Sequence, residues 1–127
     1  MVSVIKENIN MRSGPGTKYQ VKWKLGKGYP LVVVSQKGKW LQVKDFEGDT
    51  GWVHQTLINN KPHLVVKNKT VNVRNGPGDK YEVISAAKYG VVFETLNKQG
   101  GFTGWVEVKH EKTGIIGWVQ RDVMWGW

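Results

Sequence analysis

Apolar and polar residues alternate over short stretches of this chain, and most of these stretches end at a glycine or a proline. Within Ile9–Arg12 and Trp40–Lys44, aliphatic side chains occupy every second position. A period of two is typical of a strand with one buried face. No window keeps the 3.6-residue period of a helix. The pattern therefore predicts an all-β protein of short strands and tight turns.

The predicted strands fall into two similar series. In the first half they are 9–12, 21–25, 29–36, 40–44 and 51–54, with a continuous buried run at 31–34 and a closing 3₁₀ turn at 55–58. In the second half they are 71–74, 83–87, 91–96, 104–109 and 116–120, and residues 121–123 take the place of the closing turn. Five or six antiparallel strands in about 60 residues predict a small barrel.

The two series follow from an internal repeat. The stretch from Met11 to Tyr19 returns as the stretch from Val73 to Tyr81, and both copies contain Gly-Pro-Gly. Corresponding residues lie 62 positions apart in these loops, 65 apart at the tryptophan of Gly-Lys-Trp and Thr-Gly-Trp, and 66 apart at Gly-Trp-Val. The shift in spacing predicts a longer loop around 99–101. We therefore expect two modules, 1–60 and 61–127.

The amino-acid composition limits the kinds of functional site that the chain can contain. The 127 residues include no cysteine, which excludes disulfides, thiolate metal sites and a cysteine nucleophile. The net charge of +9 is spread along the chain and raises the affinity for any polyanion, whether nucleic acid, anionic lipid or an acidic envelope polymer, with simple solubility as the alternative role. No run of residues approaches the roughly 20 apolar positions needed to span a bilayer.

Aromatic residues are the main candidates for binding. Trp40 shares a strand face with polar residues, and Trp105 does the same in the second copy, because strand side chains alternate between faces. Aromatic faces suit sugar rings, prolines, cations and unstacked bases. We predict one shallow aromatic groove per module, although packing over barrel edges is the alternative role. The candidate aromatic residues are Tyr19, Trp40, Trp52, Tyr81, Trp105 and Trp118.

Arg12 and Arg74 complete the candidate ligand-binding set. Both lie on the polar face of their strands, immediately before a Gly-Pro-Gly loop. Hydrogen bonding to carbonyls of that loop is the first expectation for these arginines, and ligand binding is the second.

Catalytic residues are not indicated. The three histidines are far apart in sequence and show no metal-ligand spacing. No serine has the context of a nucleophile elbow. The acidic loop 45–49 is interpreted as a solvated hairpin tip rather than a carboxylate pair or calcium loop. The sequence thus predicts no enzyme, no metal and no cofactor.

The combined motifs resemble the bacterial SH3 domain. The resemblance rests on Asn-x-Arg-x-Gly-Pro-Gly-x-x-Tyr, here 10–19 and 72–81, followed by Trp-x-x-Val and Gly-Trp-Val. The sequences at 19–23, 51–55 and 122–126 are similar to a tandem subfamily. The resemblance implies two tandem small SH3-like barrels and, as is usual for the family, an exported protein that binds cell-wall peptidoglycan.

These observations lead to three hypotheses. The first is a non-catalytic binding module of the cell envelope, periplasmic or extracellular, that recognises peptidoglycan or an envelope protein through the aromatic grooves. A cytoplasmic location stays open. The second is a nucleic-acid-binding SH3-like protein, for which the basic charge is the argument. The third is a regulatory or scaffolding protein that docks a partner between the two modules.

Overall fold

The computed structural model describes residues 1–97 and 104–127, so the loop predicted around 99–101 lies outside the described residues. The described chain divides into two compact units, Met1–Pro62 and His63–Trp127. Each unit is a sheet of seven antiparallel strands, which confirms the all-β prediction. In the described part of the chain, no helix is both long and apolar enough to cross a membrane.

The first unit holds strands β1 to β7 and one 3₁₀ turn. The strands are β1 Val2–Val4, β2 Ile9–Arg12, β3 Val21–Leu25, β4 Pro30–Lys37, β5 Trp40–Lys44, β6 Thr50–His54 and β7 Ile58–Asn59. The 3₁₀ turn covers Gln55–Leu57, as predicted.

The second unit repeats this series. Its strands are β8 His63–Val66, β9 Thr70–Arg74, β10 Val83–Lys88, β11 Val92–Asn97, β12 Trp105–His110, β13 Ile116–Gln120 and β14 Met124–Gly126. A 3₁₀ turn at Arg121–Val123 replaces the closing turn of the first unit, again as predicted.

Strand order is the same in the two sheets. The first runs β3-β2-β6-β5-β4-β1-β7 and the second β10-β9-β13-β12-β11-β8-β14, so every strand of one unit has its counterpart at the same place in the other. The four short strands β1, β7, β8 and β14 were not predicted, which is why each unit has seven strands rather than five or six. Among the described strands, the two ends of each sheet do not pair with one another to close a ring.

Each unit has its own hydrophobic core, built from the alternate positions of its strands. In β2 the apolar residues Ile9 and Met11 are buried while Asn10 and Arg12 stay partly exposed. The first core comprises Val4, Ile9, Met11, Leu25, Leu31, Leu41, Val43 and Val53. The second comprises Leu64, Val66, Val71, Val73, Phe93, Val106, Val108, Val119 and Met124. Alternation therefore fixes which side chains remain available for binding.

The continuous buried run predicted at 31–34 is wrong. Leu31 is fully buried, but Val33 and Val34 are 38% and 49% exposed. Successive side chains of a strand point to opposite faces, so four in a row cannot all enter one core. The register between β4 and β5 also shifts between Val33 and Ser35, and a bulge of this kind leaves a residue unpaired and bends the strand.

Candidate functional site

The Gly-Pro-Gly loops have the same construction in both units. The ring of Tyr19 lies directly against Gly14, where any Cβ atom would overlap it, and Tyr81 lies against Gly76 in the same way. Both tyrosines are 39% exposed. The Lys18 ammonium lies 5.8 Å from the centroid of the neighbouring tyrosine ring, within the range of a cation–π contact. The tyrosine ring therefore packs over a tight loop and remains partly exposed to solvent.

Each arginine holds its loop closed. Nη1 of Arg12 donates to the carbonyl oxygens of Thr17 and Tyr19, at 2.9 and 3.0 Å. Nη1 of Arg74 donates to the corresponding carbonyls of Asp79 and Tyr81, both at 2.9 Å. The first expectation for these arginines, hydrogen bonding to loop carbonyls, is confirmed.

The strand register brings the other candidates into a row across the sheet. Trp52 pairs with Arg12 on one side and with Gln42 on the other, and Trp40 pairs with His54. Directly opposed residues on antiparallel strands have their side chains on the same face. This face of the first sheet therefore carries both tryptophans and the arginine.

The same row recurs in the second unit. Trp118 pairs with Arg74 on one side and with Glu107 on the other, and Trp105 pairs with Gln120. Four of the six aromatic candidates therefore occupy corresponding register positions in the two sheets.

Trp40 and His54 form a polar-aromatic corner at the start of β5. Their rings meet edge to face, with centroids 5.3 Å apart and an interplanar angle of 89°. Nδ1 of His54 accepts from the backbone N–H of Thr56 at 3.3 Å and lies 2.8 Å from the hydroxyl of that residue. Because Nδ1 acts as the acceptor, we assign the ring proton of the neutral imidazole to Nε2. That N–H is left as a donor.

A groove of about 330 Å³ opens beside this corner, and we call it the first groove. Its lining combines one indole, one guanidinium, one ammonium, an imidazole and several amide and hydroxyl groups. The residues that line it are Lys6, Asn8, Ile9, Asn10, Arg12, Thr17, Trp40, His54, Thr56 and Leu57. Asn8 has a φ of 58°, a left-handed conformation that asparagine tolerates better than most residues and that turns the chain into β2.

The second unit has a smaller groove of about 160 Å³, the second groove. It is lined by Asn68, Thr70, Val71, Asn72, Arg74, Asp79, Trp105, Gln120 and Val123. At the repeat spacings, each of these residues corresponds to one that lines the first groove. The two grooves are therefore one structural feature present twice.

The structure does not assemble the predicted groove in full. Trp40, Trp105 and the two arginines line the grooves, whereas Tyr19, Tyr81, Trp52 and Trp118 are not among the described lining residues. Trp105 lines the second groove although it is only 8% exposed.

Polar residues of the grooves were missed by the sequence analysis. Asn10 and Asn72 line the two grooves beside the arginines, and His54 lines the first. A signal for the asparagines was present, because alternation puts Asn10 on the same face as Arg12 and the repeat puts Asn72 beside Arg74. No sequence pattern indicated that Lys6 lines the first groove, because Lys6 precedes strand β2 and its alternation.

The acidic loop between β5 and β6 is more ordered than a solvated tip. Asp45 is buried, and its Oδ1 accepts from the backbone N–H groups of Glu47 and Asp49, at 3.0 and 2.9 Å. Burial raises the pKa of Asp45 above its ordinary value of 3.8, although these two hydrogen bonds oppose the rise. The three carboxylates can place oxygens within 4.8 Å of one another, but the hydrogen bonds show a turn-forming role for Asp45.

Comparison with known proteins shows that the chain belongs to the bacterial SH3 domain family, which it contains in two tandem copies. One bacterial SH3 domain model matches residues 5–60 and a second matches residues 69–124. These matches cover the whole lining of the first groove and that of the second except Asn68.

Relatives of the chain include proteins described as cell-wall amidases. It is 25% identical over 130 residues to the putative N-acetylmuramoyl-L-alanine amidase YrvJ of Bacillus subtilis, covering 94% of this chain and 24% of that protein. It is 40% identical over 50 residues to the probable cell wall amidase LytH of Staphylococcus epidermidis, covering 39% of this chain and 17% of the relative. The chain thus spans about a quarter or less of the length of these two relatives.

A distant likeness to a solved structure was also found. NlpC2 from Trichomonas vaginalis aligns over 98% of this chain and 47% of its own, with a TM-score of 0.43 and 10% identity. A likeness this distant has no bearing on the function.

Proposed function

We propose that this protein is a non-catalytic binding module of the bacterial cell envelope, which recognises peptidoglycan through its two repeated grooves. The observation that carries the proposal is the recurrence of one groove, with tryptophan, arginine and asparagine at corresponding positions in both units. Two modules in one chain engage neighbouring sites on a polymer, and this raises the overall affinity without any new contact.

The chemistry of the first groove suits an acylated sugar with an attached peptide. The half-exposed indole of Trp40 offers an apolar face to a sugar ring. The side chains of Asn8 and Asn10 offer amide donors and acceptors to hydroxyl and acetamido groups. Arg12 and Lys6 attract the carboxylates of a stem peptide. A mostly polar lining with one aromatic wall orients such a ligand.

The named relatives support a location in the cell envelope. Their names place YrvJ and LytH with cell-wall amidases, and the matches to this chain fall on its bacterial SH3 domains. We therefore propose that this chain acts outside the cytoplasmic membrane, in the periplasm or the extracellular wall, with the wall polymer or an envelope protein as its partner.

Co-sedimentation with purified peptidoglycan sacculi at low and high salt tests the proposal. The wild-type chain should pellet at both salt concentrations, and replacement of Asn10 and Trp40 by alanine should reduce the pelleted fraction. Trp23→Ala is the matched control, because Trp23 is 47% exposed and does not line the first groove. Circular dichroism checks that the variants are folded.

Three outcomes would count against the proposal. Pelleting that disappears at high salt would indicate non-specific adhesion of a +9 protein to a polyanion. Equal pelleting of the Asn10/Trp40 variant and the wild type would reject the groove as the site. No pelleting at either salt concentration would favour a protein partner instead.

A further inference from the structure

The two grooves differ in charge although they share their framework. Tryptophan, arginine and the β2 or β9 asparagine are common to both. Among the corresponding positions that differ, three exchange a charged or ionisable side chain: Lys6 against Asn68, Thr17 against Asp79, and His54 against Gln120. Two of these differences make the first groove the better site for an anion, because Lys6 adds a cation there and Asp79 places a carboxylate in the second groove. The third exchanges one hydrogen-bonding side chain for another.

The described lining of the first groove contains two cations, Lys6 and Arg12, and no carboxylate. The described lining of the second contains one cation, Arg74, and one carboxylate, Asp79, which offset each other. Unpaired cations in a concave site attract anions, and an adjacent carboxylate repels them. The first groove therefore attracts a negatively charged group, whereas the second has no net charge to attract one.

The guanidinium of Arg12 retains donors for a ligand. Its Nη1 group is taken up by the two loop carbonyls, and no other hydrogen bond from this side chain occurs in the described residues. Nε and Nη2 together hold three of the five N–H donors of a guanidinium. That edge has the geometry for two parallel hydrogen bonds to one carboxylate. The loop bonds hold it in place before any ligand arrives.

The acidic residue next to Lys6 adds no carboxylate to the first groove. Glu7 lies between two lining residues in sequence, but its carboxylate accepts from the backbone N–H of Lys27 at 2.8 Å and does not line the groove. His54 adds the Nε2 donor described above. Trp40 is half-buried, whereas Trp105 is 8% exposed, so the first groove also offers more aromatic surface to the rest of the ligand.

We infer that the two modules divide recognition: the first groove binds the part of the ligand that bears a free carboxylate, and the second binds an uncharged part. The inference rests on the proposed function and assigns the peptide-stem carboxylate of peptidoglycan to Lys6, Arg12 and His54. The Nε–Nη2 edge can pair with two oxygens of a carboxylate or of a phosphodiester. We assign the carboxylate because the proposed ligand is peptidoglycan, whose stem peptide supplies it.

Paired ligands test the inference on the full chain. N-acetylmuramyl-L-alanyl-D-isoglutamine carries one free carboxylate, and amidation of that group removes the charge alone. In NMR titrations the indole signal of Trp40 should report binding of the acid about tenfold tighter than binding of the amide, since a charge-assisted hydrogen bond is roughly 1.4 kcal/mol stronger than a neutral one. The indole signal of Trp105 should show no preference for the acid.

Exchange of residues between the grooves supplies the controls. A variant with Lys6→Asn, Thr17→Asp and His54→Gln should lose the acid preference at Trp40. The reciprocal variant, Asn68→Lys, Asp79→Thr and Gln120→His, should gain one at the second groove. Lys6→Asn alone changes one exposed side chain and should lower the preference severalfold, which keeps the test decisive if the triple variant is unstable.

The results separate this inference from the proposed function. Equal affinity for acid and amide at Trp40, in a chain that still pellets with sacculi, would overturn the division of recognition and leave wall binding intact. Inorganic phosphate or a glycerol phosphodiester that binds Trp40 as tightly as the dipeptide would also overturn it. A chain that binds neither sacculi nor the dipeptide would refute both.

Discussion

The ring of Tyr19 lies on the α-carbon of Gly14, so closely that a Cβ atom there would occupy the position of the ring. The same contact joins Tyr81 to Gly76. The glycine is therefore needed for the close approach of an aromatic ring and not for a positive φ, since neither glycine has one. This contact sets the shape of the loop that Arg12 then closes.

Gly14→Ala should destabilise the first unit by about 1–3 kcal/mol, because the new methyl group must displace the tyrosine ring. Gly16→Ala is the control, since a Cβ at Gly16 would meet Tyr19 at an ordinary 3.4 Å. Urea unfolding of the full chain, followed through NMR signals of each unit, measures both effects. Equal stability of the two variants would show that the ring is free to move aside.

Arg12→Lys should destabilise the first unit by about 1–2 kcal/mol, because a lysine ammonium lacks the planar fork that reaches both loop carbonyls. Arg74→Lys should act equally on the second unit. The measurement is the urea midpoint of each unit. Retention of the wild-type midpoint in both variants would mean that these hydrogen bonds do not stabilise the loops.

A leucine of the first core is replaced by a smaller residue in the second unit. Leu25 is 5% exposed, while its counterpart Ala87 lines an apolar cleft of about 260 Å³ beside Val73 and Phe93. Leu25→Ala should cost about 2–4 kcal/mol through lost burial and the cavity it leaves. Ala87→Leu should raise the stability of the second unit by about 1 kcal/mol by filling the cleft. A loss of stability on Ala87→Leu would show that the cleft cannot hold the larger side chain.

Asp45 should make stability depend on pH in an unusual direction for a carboxylate. Its pKa in the folded protein is raised, so the folded state binds more protons than the unfolded chain in the window above pH 3.8. Stability from this group is therefore fully present below that pH and is lost as the pH rises through the folded pKa. An asparagine keeps an oxygen for both backbone N–H groups and removes the charge.

Asp45→Asn should consequently gain stability relative to the wild type as the pH rises from 3 to 7. Asp45→Ala should be less stable than the wild type by about 1–3 kcal/mol at pH 7, because the backbone N–H groups of Glu47 and Asp49 lose their acceptor. Chemical unfolding of the three proteins across this range measures the difference. A stability gap between Asp45→Asn and the wild type that does not change with pH would contradict the assignment.

The repeat and the period-two pattern were sufficient to predict two all-β units. Core strands such as β2 and β5 can be recognised in the sequence because apolar and polar residues alternate along them. The short strands β1, β7, β8 and β14 were not predicted, since stretches of two to four residues such as Ile58–Asn59 are too short to show a clear period. Residues 31–34 are all apolar in the sequence. Their exposure depends on the bulge in β4 and on how far the core extends along that strand, and neither can be read from the sequence.

The site was predictable only in part for similar reasons. Trp40 and Arg12 follow from strand faces, but the burial of Trp105 depends on packing from other segments that no local pattern reports. Lys6 and Asn8 enter the first groove through the turn before β2, where a left-handed Asn8 redirects the chain. Turn geometry of this kind is set by tertiary contacts as much as by sequence.

The most direct test of the account is a binding map of the first groove in solution. The uniformly labelled full chain is titrated with soluble muropeptides, and the NMR signals of side-chain amides and indoles are followed. We predict that the Trp40 indole and the Asn8 and Asn10 amides shift together, with one common affinity, while the Trp23 indole stays unchanged. A shift of the Trp23 indole, with the Trp40, Asn8 and Asn10 signals unmoved, would contradict it.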